Sequence, residues 1–200
     1  MNKKIVHDAL VLMAFALVLG GILGAVYQIT LPAITQAEYE KTQAAYKAVF
    51  ADAESFETVE FDETEAEAMM TAAGLKDSID DVQRAVIGGE TAGYVITVTA
   101  KDGSQGSITL SVGIRNDGTV NSYSITSIGE TPGLGMKATE ESFIAQFEGK
   151  NVSEFVVVKS TPTADNEIEA IAGSTITTEA VANACNAAIV YTQSLVGGAQ

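Results

Sequence analysis

Hydroxyl side chains crowd into one short stretch of this 200-residue chain. Within Glu169-Ala170-Ile171-Ala172-Gly173-Ser174-Thr175-Ile176-Thr177-Thr178 they stand at 174, 175, 177 and 178, where a final helical pattern begins. Two chemistries suit such a stretch. As a helix start, Thr177 or Thr178 is an N-cap that satisfies free amides, with Glu179 favourable in the first turn. As a ligand site, a helix N-terminus behind a Gly-Ser-Thr loop offers amide donors and a positive dipole end, which suits a phosphate. A second stretch, Glu130-Thr131-Pro132-Gly133-Leu134-Gly135, combines one proline and two glycines. It is either an ordinary turn or a sharp loop whose backbone another group approaches closely. Lys159 follows the apolar run Phe155–Val158 and reads equally as a cationic neighbour of a bound group or as a solvated surface residue.

Missing residue types narrow the chemistry further. Cys185 is the single cysteine, which rules out an intrachain disulfide, a four-cysteine iron–sulfur cluster and a multi-cysteine zinc site. It falls on an apolar helical stripe and reads as a small core residue rather than a reactive thiol. The single histidine, His7, lies before a long apolar run, so nothing after that run offers histidine-dependent nucleophilic catalysis or histidine-ligated metal.

The elements that must position these residues follow from periodicity. Gly93–Thr99 and Gly106–Ile114 read as strands joined at an Asp102-Gly103 turn, and Asn116-Asp117-Gly118 turns the chain into a third strand over Val120–Ile128. Thr139–Phe147 reads as a short helix with Phe143 and Phe147 on one face, and Phe155–Val158 as a further strand. Thr177–Val196 closes the chain as a helix with Val181, Cys185, Ala188, Ile189, Thr192 and Leu195 along one stripe. Upstream, residues 36–53 read as a helix carrying Tyr39, Tyr46, Val49, Phe50 and Ala53, and residues 62–72 as a short one. The predicted fold class is α+β: an N-terminal transmembrane helix, then one domain with an antiparallel sheet and flanking helices.

Ala9–Gln36 carries no charge, and Ala9–Tyr27 is an almost unbroken apolar run. As a helix those nineteen residues rise roughly 28 Å, close to the hydrocarbon thickness of a bilayer. Lys3 and Lys4 precede the run and neutral, then acidic, residues follow, which keeps the N-terminus in the cytoplasm and sends the C-terminal bulk across. A cleaved signal peptide is the rival reading, but its apolar centre is shorter, and only Thr35-Gln36-Ala37 resembles a cleavage site. The expected organisation is a cytoplasmic N-terminus over 1–8, an anchor over 9–34, an acidic helical connection over 35–80 and a domain over 81–200. Net charge is −15, from 11 basic and 26 acidic residues. Lys and Arg clusters that would reward nucleic acid are absent, so no nucleic-acid partner is expected.

In their order and spacing, the two stretches resemble the covalent-FMN domain of the RnfG family, found in Rnf electron transport complexes, and of its relative NqrC, from the sodium-pumping NADH:quinone reductase. In that family an ETPGLG loop precedes the motif Asp-x-x-(Ser/Thr)-Gly-Ala-Thr, whose last threonine a flavin transferase esterifies to the FMN phosphate. The first element matches residue for residue at 130–135. In the second, Gly173 and Thr175 agree, while Glu169 stands for Asp, Ala172 for Ser/Thr and Ser174 for Ala. The resemblance extends over nearly the whole chain.

It implies a membrane-bound FMN domain on the outer side of a cell membrane, with the flavin as a phosphoester on Thr175. Gly173, Ser174, Ile176 and Thr177 would surround the attachment point. Glu130, Thr131, Leu134 and Gly135 would line the flavin, with Lys159 beside it. The implied function is electron transfer within an ion-translocating ferredoxin:NAD⁺ oxidoreductase, with the other Rnf subunits and a flavin transferase as partners. A stand-alone extracytoplasmic flavin carrier for another respiratory chain, or an anchored domain that has lost the flavin, are the alternatives. The departures at 172 and 174 keep the last one open.

Overall fold

The computed structural model describes residues 3–197. Packing divides the chain into two units, Met1–Thr42 and Gln43–Gln200. A single helix, α1, spans Lys3–Val49. Between Ala9 and Tyr27 it is apolar on every side, and Leu10, Leu12, Phe15, Leu17, Leu19, Ile22 and Leu23 are all exposed. A helix that is hydrophobic all round belongs in lipid or in a large core. The hydroxyls in its later turns are satisfied locally, with Thr30 donating to the Val26 carbonyl at 3.0 Å and Thr35 to the Leu31 carbonyl at 2.9 Å. The sequence separates an anchor from a helix over 36–53, but the helix does not break between them. Residues 33–37 contain neither glycine nor proline, and Pro32 is accommodated in the helix interior.

The second unit opens with the last turns of α1 against a five-stranded antiparallel sheet. Its strands are β1 Ser55–Thr58, β2 Ser78–Ile87, β3 Glu90–Ala100, β4 Ile108–Arg115 and β5 Val120–Ser127, in spatial order β1-β2-β3-β4-β5. Helix α2, Glu63–Ala72, is capped by the Asp62 carboxylate, which accepts the Thr64 and Glu65 amides. On one face of the sheet, Tyr46, Val49, Phe50 and Ala53 pack on Ala85 and Val95. Gly113 permits that contact, because a β-carbon there would stand 2.4 Å from the Val49 carbonyl oxygen. On the other face lies the main core, closed by the final helix α4, Thr175–Gly197.

Strand β2 is the main departure from the sequence reading. Position 81, the expected domain boundary, falls inside it, and the compact unit already begins at Gln43. Asp80 and Asp81 obscure the strand's alternation, and a register shift lies between Ile79 and Asp81. Both acids are answered from other elements. Thr99 and Ser78 donate to Asp80, while the Tyr46 phenol donates to Asp81 at 2.5 Å. Burial, and then Asp81, push the Tyr46 phenol upward, so it remains a donor.

Three further differences concern connections. β3 and β4 are joined by residues 101–107, a longer loop than an Asp102-Gly103 hairpin, since Ala100 pairs with Ile108. The expected helix over 139–147 is a 3₁₀ turn, Gly135–Thr139, followed by the four-residue α3, Glu141–Ile144. Phe143 and Phe147 do share a buried face, edge to face with centroids 5.6 Å apart, and Phe147 also meets Tyr123 and Phe155. The strand at 155–158 appears as β6, Val156–Val158, which pairs in parallel with β7, Glu167–Glu169, in a separate two-stranded sheet. The α4 stripe is buried as read except at Leu195, which is half-buried, and Cys185 sits within it with its thiol pushed up by burial.

Candidate functional site

The acceptor stretch is a turn running straight into α4. The Ser174 amide donates to the Ile171 carbonyl at 2.8 Å, and Gly173 takes φ +79°, a conformation other residues rarely adopt. The Ser174 carbonyl then accepts the Thr178 amide at 3.0 Å, which makes Ser174 the N-cap and Thr175 the first helical residue. Neither Thr177 nor Thr178 caps the helix, because it starts two residues earlier than its hydroxyl pattern suggests. The amides of Thr175, Ile176 and Thr177 find no protein acceptor among the described residues, as expected for a first turn.

Packing separates the four hydroxyls. Thr178 is buried and fully engaged, donating to the Ser174 carbonyl at 2.9 Å and accepting the Ile171 amide at 3.1 Å. Thr177 is also buried, and its hydroxyl has no partner. Ser174 is 9% exposed. Thr175 alone is half-buried at the surface, and its hydroxyl makes no hydrogen bond among the described residues.

The 130–135 stretch forms the facing wall. Pro132 and Gly133 are the two central residues of a tight turn in which the Leu134 amide donates to the Thr131 carbonyl at 3.1 Å. Gly133 sits at φ +76°, as a type II turn demands. The Met136 amide donates to the same Thr131 carbonyl at 3.2 Å, and the Lys137 amide donates to the Leu134 carbonyl at 3.0 Å to open the 3₁₀ turn. That turn is pinned from below by the Tyr123 phenol, which donates to the Ala138 carbonyl at 2.7 Å and is held in its protonated form by burial.

The two stretches touch at two points. A β-carbon on Gly173 would stand 3.4 Å from Leu134 Cδ2. One on Gly135 would stand 2.7 Å from the Glu130 carboxylate and 2.9 Å from the Thr177 hydroxyl. Leu134 and Ile176 are 43% and 56% exposed, so the apolar side chains beside Gly173 and next to Thr175 are left uncovered by the protein.

Not every predicted site residue takes part in this way. Thr131 is exposed at the rim. Glu130 is buried, with Oε1 accepting the Gln105 amide at 3.1 Å. Lys159 is exposed just beyond β6, where Ala170 donates to the Val158 carbonyl, and it contacts neither stretch through a hydrogen bond or ion pair among the described residues. Gln105 and Gly103 were not anticipated. Their signal was the length of the small-residue run Asp102-Gly103-Ser104-Gln105-Gly106-Ser107, too long for a two-residue hairpin.

Residues 103–190 match the family described as FMN-binding domain, so fold and site together define an FMN-binding domain behind an apolar N-terminal helix. Residues 1–49 match the RnfG N-terminal region. The chain is 34% identical over 179 residues to the G subunit of the proton-translocating ferredoxin:NAD⁺ oxidoreductase complex of Clostridium ljungdahlii, covering 90% of this chain and 86% of that one. It is 32% identical over 195 residues to the Na⁺-translocating counterpart of Acetobacterium woodii, covering 96% and 94%. The chain belongs to the RnfG family, membrane-complex subunits of ion-translocating ferredoxin:NAD⁺ oxidoreductases. Among solved structures, NqrC of Shewanella oneidensis aligns over 60% of this chain and 59% of that one, at 20% identity and a TM-score of 0.49.

Proposed function

We propose that this chain is an electron relay of an Rnf-type complex, carrying FMN as a phosphoester on Thr175, with its folded domain on the outer side of the cell membrane. The observation that carries the attachment point is the sorting of hydroxyls. Of the four in the acceptor stretch, Thr175 is the half-buried surface one left without a hydrogen bond. Forming the ester joins its oxygen to the flavin-nucleotide phosphorus, with the hydroxyl proton and one former phosphorus substituent departing and no change in oxidation state. A flavin transferase would perform that step.

The residues present fit the group. The free amides of Thr175, Ile176 and Thr177, at the positive end of a 23-residue helix, would hold a phosphate. Gly173 is exposed and leaves space beside Leu134 that a side chain would fill, while Gly135 lets Glu130 and Thr177 pack closely behind it. Leu134 and Ile176 supply apolar surface for a ring, and Thr131 offers a hydroxyl at the rim. Bound FMN supplies the redox chemistry, and the chain's own residues bind and orient it.

Orientation follows from Lys3 and Lys4 before the apolar stretch of α1, which favour a cytoplasmic N-terminus. The organisation proposed is a short cytoplasmic segment over 1–8, an anchor over 9–34, and an extracytoplasmic body in which the 35–80 connection contributes β1 and α2. The partners are the other subunits of the complex. The whole-chain similarity to two complex subunits supports this reading over a stand-alone carrier.

The test is co-expression with a flavin transferase, denaturation, and in-gel flavin fluorescence. Wild type is expected to fluoresce and Thr175→Val to be dark. A dark wild type, or a bright Thr175→Val, overturns the assignment.

A further inference from the structure

We propose that the β3–β4 loop, residues 101–107, forms a third wall of the flavin site, and that Glu130 is the positioning residue that latches it there. The proposal rests on the reading of Thr175 as the flavin carrier. It assigns Glu130 a role behind the site, acting through the loop, in place of direct contact with the flavin.

The Glu130 side chain is 5% exposed, yet its two oxygens face different segments. Oε1 accepts the Gln105 amide at 3.1 Å and lies 3.2 Å from where Gly103 would carry a β-carbon. Oε2 lies 2.7 Å from the corresponding point on Gly135, which is itself 2.9 Å from the Thr177 hydroxyl. One buried carboxylate therefore ties the β3–β4 loop to the 130–135 turn, on the side of that turn that packs near the first turn of α4. A carboxylate so placed needs donors to offset its desolvation, and the Gln105 peptide is one.

Little else fastens the loop. Among the described residues its other hydrogen bond is the exposed Lys76–Asp102 ion pair at 2.8 Å, a kind of contact that contributes little in water. Two glycines keep it slim, and Gly103 has no room for a side chain, since a β-carbon would stand 2.1 Å from the Gly106 carbonyl oxygen. Ser104 and Gln105 are exposed, so the loop presents polar groups beside Glu130, where the 130–135 stretch begins. Its location and its single buried tether fit a cover whose position Glu130 sets.

The test uses full-length protein, co-expressed with a flavin transferase and held in detergent. Two readouts are taken: hydrogen exchange of the 101–107 segment, and iodide quenching of the attached flavin's fluorescence. Glu130→Ala is expected to raise exchange in the loop about five- to tenfold, the equivalent of one lost hydrogen bond, and to increase quenching. Glu130→Gln keeps an acceptor oxygen and should restore most of both. Gln105→Pro removes the donor while leaving Glu130 in place, and should reproduce the alanine variant even if that variant fails to accumulate. Unchanged exchange in both Glu130→Ala and Gln105→Pro overturns the latch. Faster exchange with unchanged quenching overturns the wall. A wild-type chain without flavin removes the parent reading and the wall with it, while the exchange readout still decides the latch.

Discussion

Gly135 and Thr177 are packed so closely that a β-carbon on the glycine would stand 2.9 Å from the threonine hydroxyl. This contact joins the two sequence stretches that carry the site, and it leaves no space for a methyl group. Gly135→Ala must push Glu130 or the first turn of α4 aside. The expected loss is about 1–3 kcal/mol of stability, the usual range for overpacking. Thermal unfolding of the full-length protein in detergent would measure it, and flavin labelling should fall in parallel.

Thr175 predicts the opposite pattern, a large chemical effect with a small structural one. Its hydroxyl is unbonded, so Thr175→Val should alter stability by no more than about 0.5 kcal/mol. Covalent flavin should nonetheless disappear. Thr175→Ser, which keeps a hydroxyl, should retain labelling. A valine variant that unfolds would show the threonine to be structural.

Thr178 should behave in reverse. Replacing it with valine keeps the shape but removes both hydrogen bonds, to the Ser174 carbonyl and from the Ile171 amide. The stranded Ile171 amide should cost about 1–3 kcal/mol, visible as a lower denaturation midpoint at unchanged slope. Any fall in labelling should then track the unfolded fraction.

Asp77, just before β2, sets a pH dependence. Burial is the main cause that pushes its carboxyl up to about 6; Asp102 adds to the shift, while its own amide, Lys101 and Lys76 oppose it. Cys185, behind it, is held as a thiol by burial, and Glu63, Glu67 and Asp80 line the same surface cavity. A carboxyl raised in the folded state binds its proton more tightly there than in the unfolded chain. This contribution is therefore fully present below about pH 4 and is lost as pH rises through about 6. Asp77→Asn should gain stability over wild type across that window, by about 1 kcal/mol at pH 7 after solvent screening. Denaturation midpoints of the two proteins at pH 4.5 and 7 would check it; a constant difference would exclude Asp77 as the cause.

Much of the molecule was legible in the sequence because its signals are local. The uncharged apolar run specifies the exposed stretch of α1, the alternation and the Asn116-Asp117-Gly118 turn specify β3 to β5, and the helical stripe specifies the buried face of α4 around Cys185. Pro132 and Gly133 fix their own turn by backbone preference alone. Strand β2 was hidden because its acids find donors only in the folded state, from Tyr46 on α1 and Thr99 on β3. The parallel pairing of β6 with β7 likewise joins segments that carry no mutual signal in the chain.

At the site the division is sharper still. Sequence placed four hydroxyls within five residues, and nothing in their chemistry ranks them. The family resemblance selects Thr175, and packing supplies the physical reason, by burying Ser174, Thr177 and Thr178 and leaving Thr175 at the surface. The tie from Gln105 to Glu130 spans 25 residues and was equally invisible. A residue's type determines which bonds it is able to make, but its exposure and its partners are set by segments that meet only when the chain has folded.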